Sequence, residues 1–326
     1  MANLTYKMDG KKIKLFDNGD GTYSLNSNVS NMPSEIGINN SAKAYLTKSV
    51  ELLTIPTPDG TGYATHPSVV RFRTPWNGYR FWMAFTPYAS IAQENPCIVA
   101  SNDGVTWIVP TGVTNPLFPM PATEGGYNSD TELIYLPTGN KLRMYFREYS
   151  VSSNSIIWYT ESTDGIIWSE KIACTFDVYK DAIAPSIIKL DKYYMYIGNT
   201  FGFYESVDGI AWTNYQPCIT DIEKFGIVWH PQVWADGTKL RLVSPIGNVG
   251  KGASKETELY YAESTDGINW TFETHALYRR EPNGKFDQRV YRSCVVPYGS
   301  EMFIYMSGLT SSLSERIGYS KLKLNS

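Results

Sequence analysis

The chain has 326 residues, a net charge of −3 and no basic block, so it lacks the positive face that a nucleic-acid partner requires. No apolar run reaches the roughly 18 residues of a spanning helix, and the N-terminus lacks the basic start and apolar core of a secretory signal. The expectation is a protein made in a cytoplasm without a signal peptide, with no nucleic-acid partner and no membrane insertion. Its 24 Tyr and 9 Trp suit β-strands.

Taken in order, residues 12–16 and 22–25 flank an Asp/Asn/Gly turn and read as a hairpin. An Asn/Ser/Pro/Gly stretch follows to Ser41 and reads as a linker. A lone hairpin is marginal in water, so residues 1–40 are expected to be an attachment segment that packs on something else. Residues 41–326 are expected to be one all-β domain.

From residue 44 the chain is strand after strand. A strand over 44–55 comes first. Five units then each open on a similar strand, at Thr65-His66-Pro67-Ser68, Ser129-Asp130-Thr131-Glu132, Ile183-Ala184-Pro185-Ser186, Trp229-His230-Pro231-Gln232 and Tyr291-Arg292-Ser293-Cys294. The first four units each close on one motif, Ser-x-Asp-Gly-x-x-Trp, starting at Ser101, Ser162, Ser206 and Ser264. Gly takes the positive φ of a tight turn, Asp and Ser hydrogen-bond the local backbone, and the Trp is expected to bury against a neighbouring unit. Repeats of about fifty residues with short strands are the mark of a propeller. A five-bladed β-propeller with four-stranded blades follows, its last blade closed by the strand over 44–55.

Cys97, Cys174, Cys218 and Cys294 have no zinc-ligand spacing and read as buried apolar residues. No cofactor motif is present and no cofactor is expected. Aligning the opening strands brings His66, Asp130, Ala184, His230 and Arg292 to equivalent places at the hub. Two of the three histidines sit there. Proline after each has a structural reason, at the start of a strand; the histidines read either as hydrogen-bonded channel filling or as part of a site. Glu132, Asp181, Arg289 and Tyr291, with Trp82 and Tyr88 from the aromatic second strand, complete a candidate ligand-binding set. No catalytic residue and no metal ligand is assigned among them, and whether the two histidines hold an ion stays open.

The polar-Pro motif opening the inner strands resembles the five-bladed propellers of arabinanase-, xylosidase- and invertase-type glycoside hydrolases, over residues 44–326. His66-Pro67-Ser68-Val69-Val70, Trp76-Asn77-Gly78-Tyr79, Trp82 to Tyr88, Glu94-Asn95-Pro96 and Ser101 to Gly104 resemble the propeller of receptor-binding tail proteins from phages of Gram-positive bacteria. The hydrolase resemblance implies a base carboxylate where this chain has His66 and an acid carboxylate where it has Ile183. Asp130 alone matches. Glycoside hydrolysis requires two carboxyl groups, so the departures imply binding without cleavage. The phage resemblance implies a virion tail protein, a homotrimer, that holds a bacterial surface polysaccharide such as glycosylated teichoic acid and attaches to baseplate or tail proteins. The alternative is a glycan-degrading hydrolase with a rewired active site.

Overall fold

A computed structural model describes residues 42–325 except 90–93, 123, 151–154, 223–225, 237–238, 248–254, 281–283 and 299–300, and three strands before residue 42. Those strands, Leu4–Met8, Lys11–Asp17 and Tyr23–Leu25, pair antiparallel in chain order, one strand more than the expected hairpin. The expected linker lies outside the described residues. Among the described residues there is no helix, and so none long and apolar enough to cross a membrane.

The remaining strands form five sheets around one axis, as a five-bladed β-propeller. Blade one holds Ala64–Trp76, Tyr79–Pro87 and Cys97–Ser101, with a bridge from Ala100 to Ile108 in place of a full fourth strand. Blade two holds Tyr127–Leu136, Lys141–Tyr149, Ile156–Ser162 and Ile172–Ala173. Blade three holds Ile183–Lys189, Tyr193–Gly198, Gly202–Ser206 and Ala211–Pro217. Blade four holds Ile227–Val228 and Gln232–Asp236 on its inner edge, then Lys239–Gly247, Glu258–Ser264 and Asn269–Phe272. In blade five, Arg289–Tyr298, Glu301–Leu309 and Glu315–Leu324 are joined by Ala44–Leu46 as the outermost strand. Glu51–Leu52 adds to the same strand, Glu315–Leu324. The N-terminal strand thus closes the ring, which removes the open edge an unclosed last blade would present.

Burial follows the gaps between blades. Five clusters of buried apolar side chains each fill one gap: Phe81, Trp107, Phe303 and Tyr305 between blades one and five, Trp82 and Met144 between one and two, Tyr145 and Trp212 between two and three, Tyr196 and Trp270 between three and four, and Val243, Tyr261 and Ile304 between four and five. The Ser-x-Asp-Gly turns serve the same gaps. In each, the Ser hydroxyl donates to the Asp carboxylate and accepts the Gly N–H, while the Asp accepts the next two N–H groups. The turn Gly presses on an aromatic ring of the adjacent blade: Gly104 on Tyr305, Gly165 on Trp82, Gly209 on Tyr145 and Gly267 on Tyr196. Three of those rings donate back to the Gly carbonyl, Tyr305 at 2.9 Å, Tyr145 at 2.8 Å and Tyr196 at 3.2 Å. A Cβ on Gly165 would lie 2.3 Å from Trp82, so Gly is required there by contact as well as by its φ of 77°.

A second belt runs around the axis. One inner-strand side chain per blade accepts a backbone N–H from the next: Ser68 from Leu133, Glu132 from Ile187, Ser186 from Val233, Gln232 from Val295 and Cys294 from Val69. The belt closes on itself. It fixes blade-to-blade register at the depth just below the mouth of the channel, and so fixes the residues two positions earlier, His66, Asp130, Ala184, His230 and Arg292.

Candidate functional site

The inner strands do not enter the hub smoothly. Their pairing shifts between Thr65 and Ser68 in blade one, opposite Tyr145 to Arg147 in blade two, between Ile183 and Ser186 in blade three and between Val290 and Arg292 in blade five. These are β-bulges, which re-aim side chains. Within them His66, Asp130 and Ala184 take φ of 54°, 56° and 51°, the left-handed region that costs a non-Gly residue about 1–3 kcal/mol. Ala184 has no polar group, so the strain belongs to the bulge rather than to any one side chain.

Three of the five equivalent residues converge. Asp130 Oδ1 lies 3.2 Å from His66 Nε2 and 3.6 Å from His230 Nε2. One donor atom from each lies within 4.8 Å of the others, and all three residues are buried. Asp130 Oδ2 accepts a 2.7 Å bond from Arg147 Nε. His66 Nδ1 pairs with Thr86 Oγ1 at 2.8 Å. His66 Nε2 and His230 Nδ1 make no hydrogen bond although both are buried. For His66 Nε2 the neighbouring carboxylate oxygen is close but misaligned for one. Burial pushes His66 down to about 3, against the attraction of Asp130, and pushes His230 well below its ordinary value. Burial works against ionisation of Asp130, but nearby positive charge, Arg147 foremost, outweighs it and holds the carboxyl well below the usual range. Two neutral imidazoles and one carboxylate facing a common point are the donor set that zinc and similar divalent ions take. The orphaned, buried His66 Nε2 beside the Asp130 carboxylate fits a cation.

Around this cluster stand four further groups. Glu94, buried, places Oε2 3.6 Å from His66 Nδ1 with no hydrogen-bond partner, and burial with the nearby Asp130 charge raises its carboxyl well above the ordinary value. Tyr291 packs on both histidines, with ring centroids 5.5 Å from His66 and 4.5 Å from His230. Arg289 lies 4.4 Å over the Tyr291 ring and pairs with Glu315 at 3.3 Å. Tyr88 belongs to the same wall: burial and Glu94 raise its hydroxyl pKa, while Arg289 lowers it.

The remaining expected site residues fall elsewhere. Glu132 and Arg292 pair at 3.0 Å inside the channel, where Arg292 also donates to Pro185 O and Glu132 accepts from Ser68. Arg292 is fully buried by its place below the bulge, and so plugs the channel instead of facing ligand. Asp181 is exposed and acts on Arg147 only through space. Trp82 is a correction: it is fully buried in the gap between blades one and two, with its indole N–H on Trp76 O at 3.2 Å, and offers no face to a sugar. Strand alternation put its side chain on the blade face, not the channel. Glu94, Thr86 and Glu315 were missed as site residues. The signal for Glu94 was an isolated acid between two strands of apolar residues.

No family model matches the chain. Over 118 residues, 35% of its length, it is 35% identical to the A type blood N-acetyl-α-D-galactosamine deacetylase of Flavonifractor plautii, of which the match spans 15%. The fold matches a crystal structure of an N-acetylgalactosamine deacetylase from F. plautii, in complex with blood group B trisaccharide, at a TM-score of 0.73 and 23% identity, over 85% of this chain and 95% of that one. It matches a thermostable family-43 glycoside hydrolase at 0.62 and 16%, over 84% and 96%, and RS223-β-xylosidase at 0.63 and 10%, over 85% and 96%. The fold is of the family-43 glycoside hydrolase type. The proteins it resembles process glycans.

Proposed function

We propose that the hub hydrolyses the N-acetyl group of an acetamido sugar with the help of a divalent cation. The observation that carries this reading is the His66–Asp130–His230 cluster, in which His66 stands where the glycosidase resemblance calls for the base carboxylate and Asp130 keeps the one carboxylate that matches. The likeness to a protein named as an N-acetylgalactosamine deacetylase supports it.

His66 Nε2, Asp130 Oδ1 and His230 Nε2 would hold the cation. Such an ion supplies Lewis-acid polarisation of a carbonyl and eases loss of a proton from water. The chain's own residues do the rest. Arg147 fixes Asp130, and Thr86 fixes the His66 ring, so that both keep their aim. Tyr291 and the bulged backbone shield the cluster from bulk water. Glu94, whose carboxyl is raised well above its ordinary value by burial and the nearby Asp130 charge, would give a proton to the leaving nitrogen as water adds to the amide carbon and the C–N bond breaks, yielding acetate and an amino sugar.

A second reading keeps the hub as a binding site without turnover, on a phage tail protein that captures a bacterial wall glycan such as teichoic acid. It is favoured by the absence of carboxyl groups at His66 and Ile183. One experiment separates the readings: incubate the chain with Zn²⁺ or Mn²⁺ and a trisaccharide ending in N-acetylgalactosamine, and assay acetate, free sugar and bound glycan. Deacetylation predicts acetate, lost on chelation and in His230→Gln. Free sugar without acetate identifies a glycosidase; bound, unaltered glycan identifies capture.

A further inference from the structure

A cavity of about 310 Å³ lies between blades three and four, lined by Asn199, Phe201, Cys218, Thr220, Gly226, Ile227 and Val228. That volume is at the lower end of small-molecule sites, about 300–1,000 Å³. The chain leads from it straight into the hub: Val228 is followed by Trp229 and His230. The cavity and the cluster therefore share one segment.

We infer that this cavity is the subsite for the sugar residue next to the one held at the hub. The inference rests on the hub reading above. Beside the apolar Cys218, Ile227 and Val228, its lining offers what a sugar needs: an aromatic face on Phe201, a carboxamide on Asn199 and a hydroxyl on Thr220. Asn199 is set in place beforehand. Its backbone has φ 63°, which Asn tolerates well, and its N–H is bonded to Val228 O at 2.8 Å. Phe201 is braced by Tyr196 and Trp270, at centroid distances of 6.4 and 6.1 Å. Among the described residues no charged side chain lines the cavity, which favours a neutral sugar over an acidic one.

Trp229 joins the two sites. Its indole stacks on the His230 ring, 5.1 Å between centroids and 14° between planes. Its Nε1–H is buried without a hydrogen-bond partner, a donor left for a ligand hydroxyl. A glycan that put its acetamido group at His66, Asp130 and His230 would run past Trp229 to reach the cavity. The substrate class is then an oligosaccharide or polysaccharide whose acetamido sugar has a neutral neighbour, not a free monosaccharide.

The test compares N-acetylgalactosamine with a trisaccharide ending in it, by calorimetry with Zn²⁺ present. The unmodified chain should bind the trisaccharide at least about tenfold more tightly. Thr220→Trp, which fills the cavity, and Phe201→Leu, which removes its ring, should each erase that advantage. Monosaccharide affinity should stay unchanged in both, which also shows that fold and hub are intact. A trisaccharide advantage that survives both variants overturns the subsite and leaves the hub standing. Binding of neither sugar by the unmodified chain removes the hub reading, and the subsite with it.

Discussion

The rim and the hub of this propeller are built from the same repeated strands, yet they differ in what is repeated. At the rim, four turns carry the same Ser, Asp and Gly with the same hydrogen bonds, and each Gly meets an aromatic ring of the adjacent blade. At the hub the side chains do not repeat, even in the three blades whose backbone does. His66, Asp130 and Ala184 share one left-handed conformation and three unlike chemistries. Repetition at the rim holds blades together; its breakdown at the hub gathers two imidazoles and a carboxylate at one point. Sequence identity across blades therefore marks assembly in this chain, and divergence at equivalent places marks chemistry.

That contrast can be pressed with substitutions. The largest effect on folding should come from Arg292→Met, which strands the buried Glu132 carboxylate in the channel. A cost of about 3–5 kcal/mol is expected, read as a lower midpoint in denaturant titration. Next, Gly165→Ala at the rim should cost about 2–4 kcal/mol, because the added Cβ meets the Trp82 ring and the backbone is left-handed. Cation affinity at the hub should be unchanged in that variant, provided it is measured well below the unfolding midpoint. Loss of hub affinity in Gly165→Ala would mean that rim and hub are not separable. Smaller still, Tyr145→Phe removes the bond to Gly209 O and should cost about 1–2 kcal/mol.

The smallest effect is the rim's response to acid. Burial works against ionisation of Asp103, Asp164 and Asp208, but the turn N–H groups outweigh it and lower all three carboxyls. Burial likewise opposes Glu263, yet Lys239 and Tyr261 hold it down to about 2. These folded-state values lie below the unfolded ones, so the stabilisation is full above about pH 4.5 and is lost as pH falls toward 2. Each exposed turn should contribute less than about 1 kcal/mol. Urea midpoints measured from pH 5 to pH 2.5 should fall smoothly; a flat profile would deny the turns any electrostatic part in holding the blades.

Much of this was legible in the sequence. The turn motif marked the ends of four blades, because Asp-Gly and the returning Trp answer to local rules, and the five similar opening strands gave the count. The closing strand was legible because the last unit lacked one. His66, Asp130 and His230 were found by counting back from the turns, since the belt that spaces them repeats with the blades. What escaped depended on depth and facing. Arg292 is equivalent to His66 in count, but its long side chain reaches down to Glu132, and only packing decides that. Trp82 looked like a sugar platform because aromatic density does not tell a blade face from a channel wall. Glu94 sits between strands, and no periodicity places such a residue.

The account depends most on whether His66, Asp130 and His230 hold a cation. Equilibrium dialysis of the purified chain against Zn²⁺, with metal content measured per chain, tests this directly. The account predicts one tightly held ion per chain, with affinity lowered by at least about a hundredfold in the near-isosteric His230→Gln. An unmodified chain that retains no ion, or a His230→Gln chain that retains it with unchanged affinity, would contradict it.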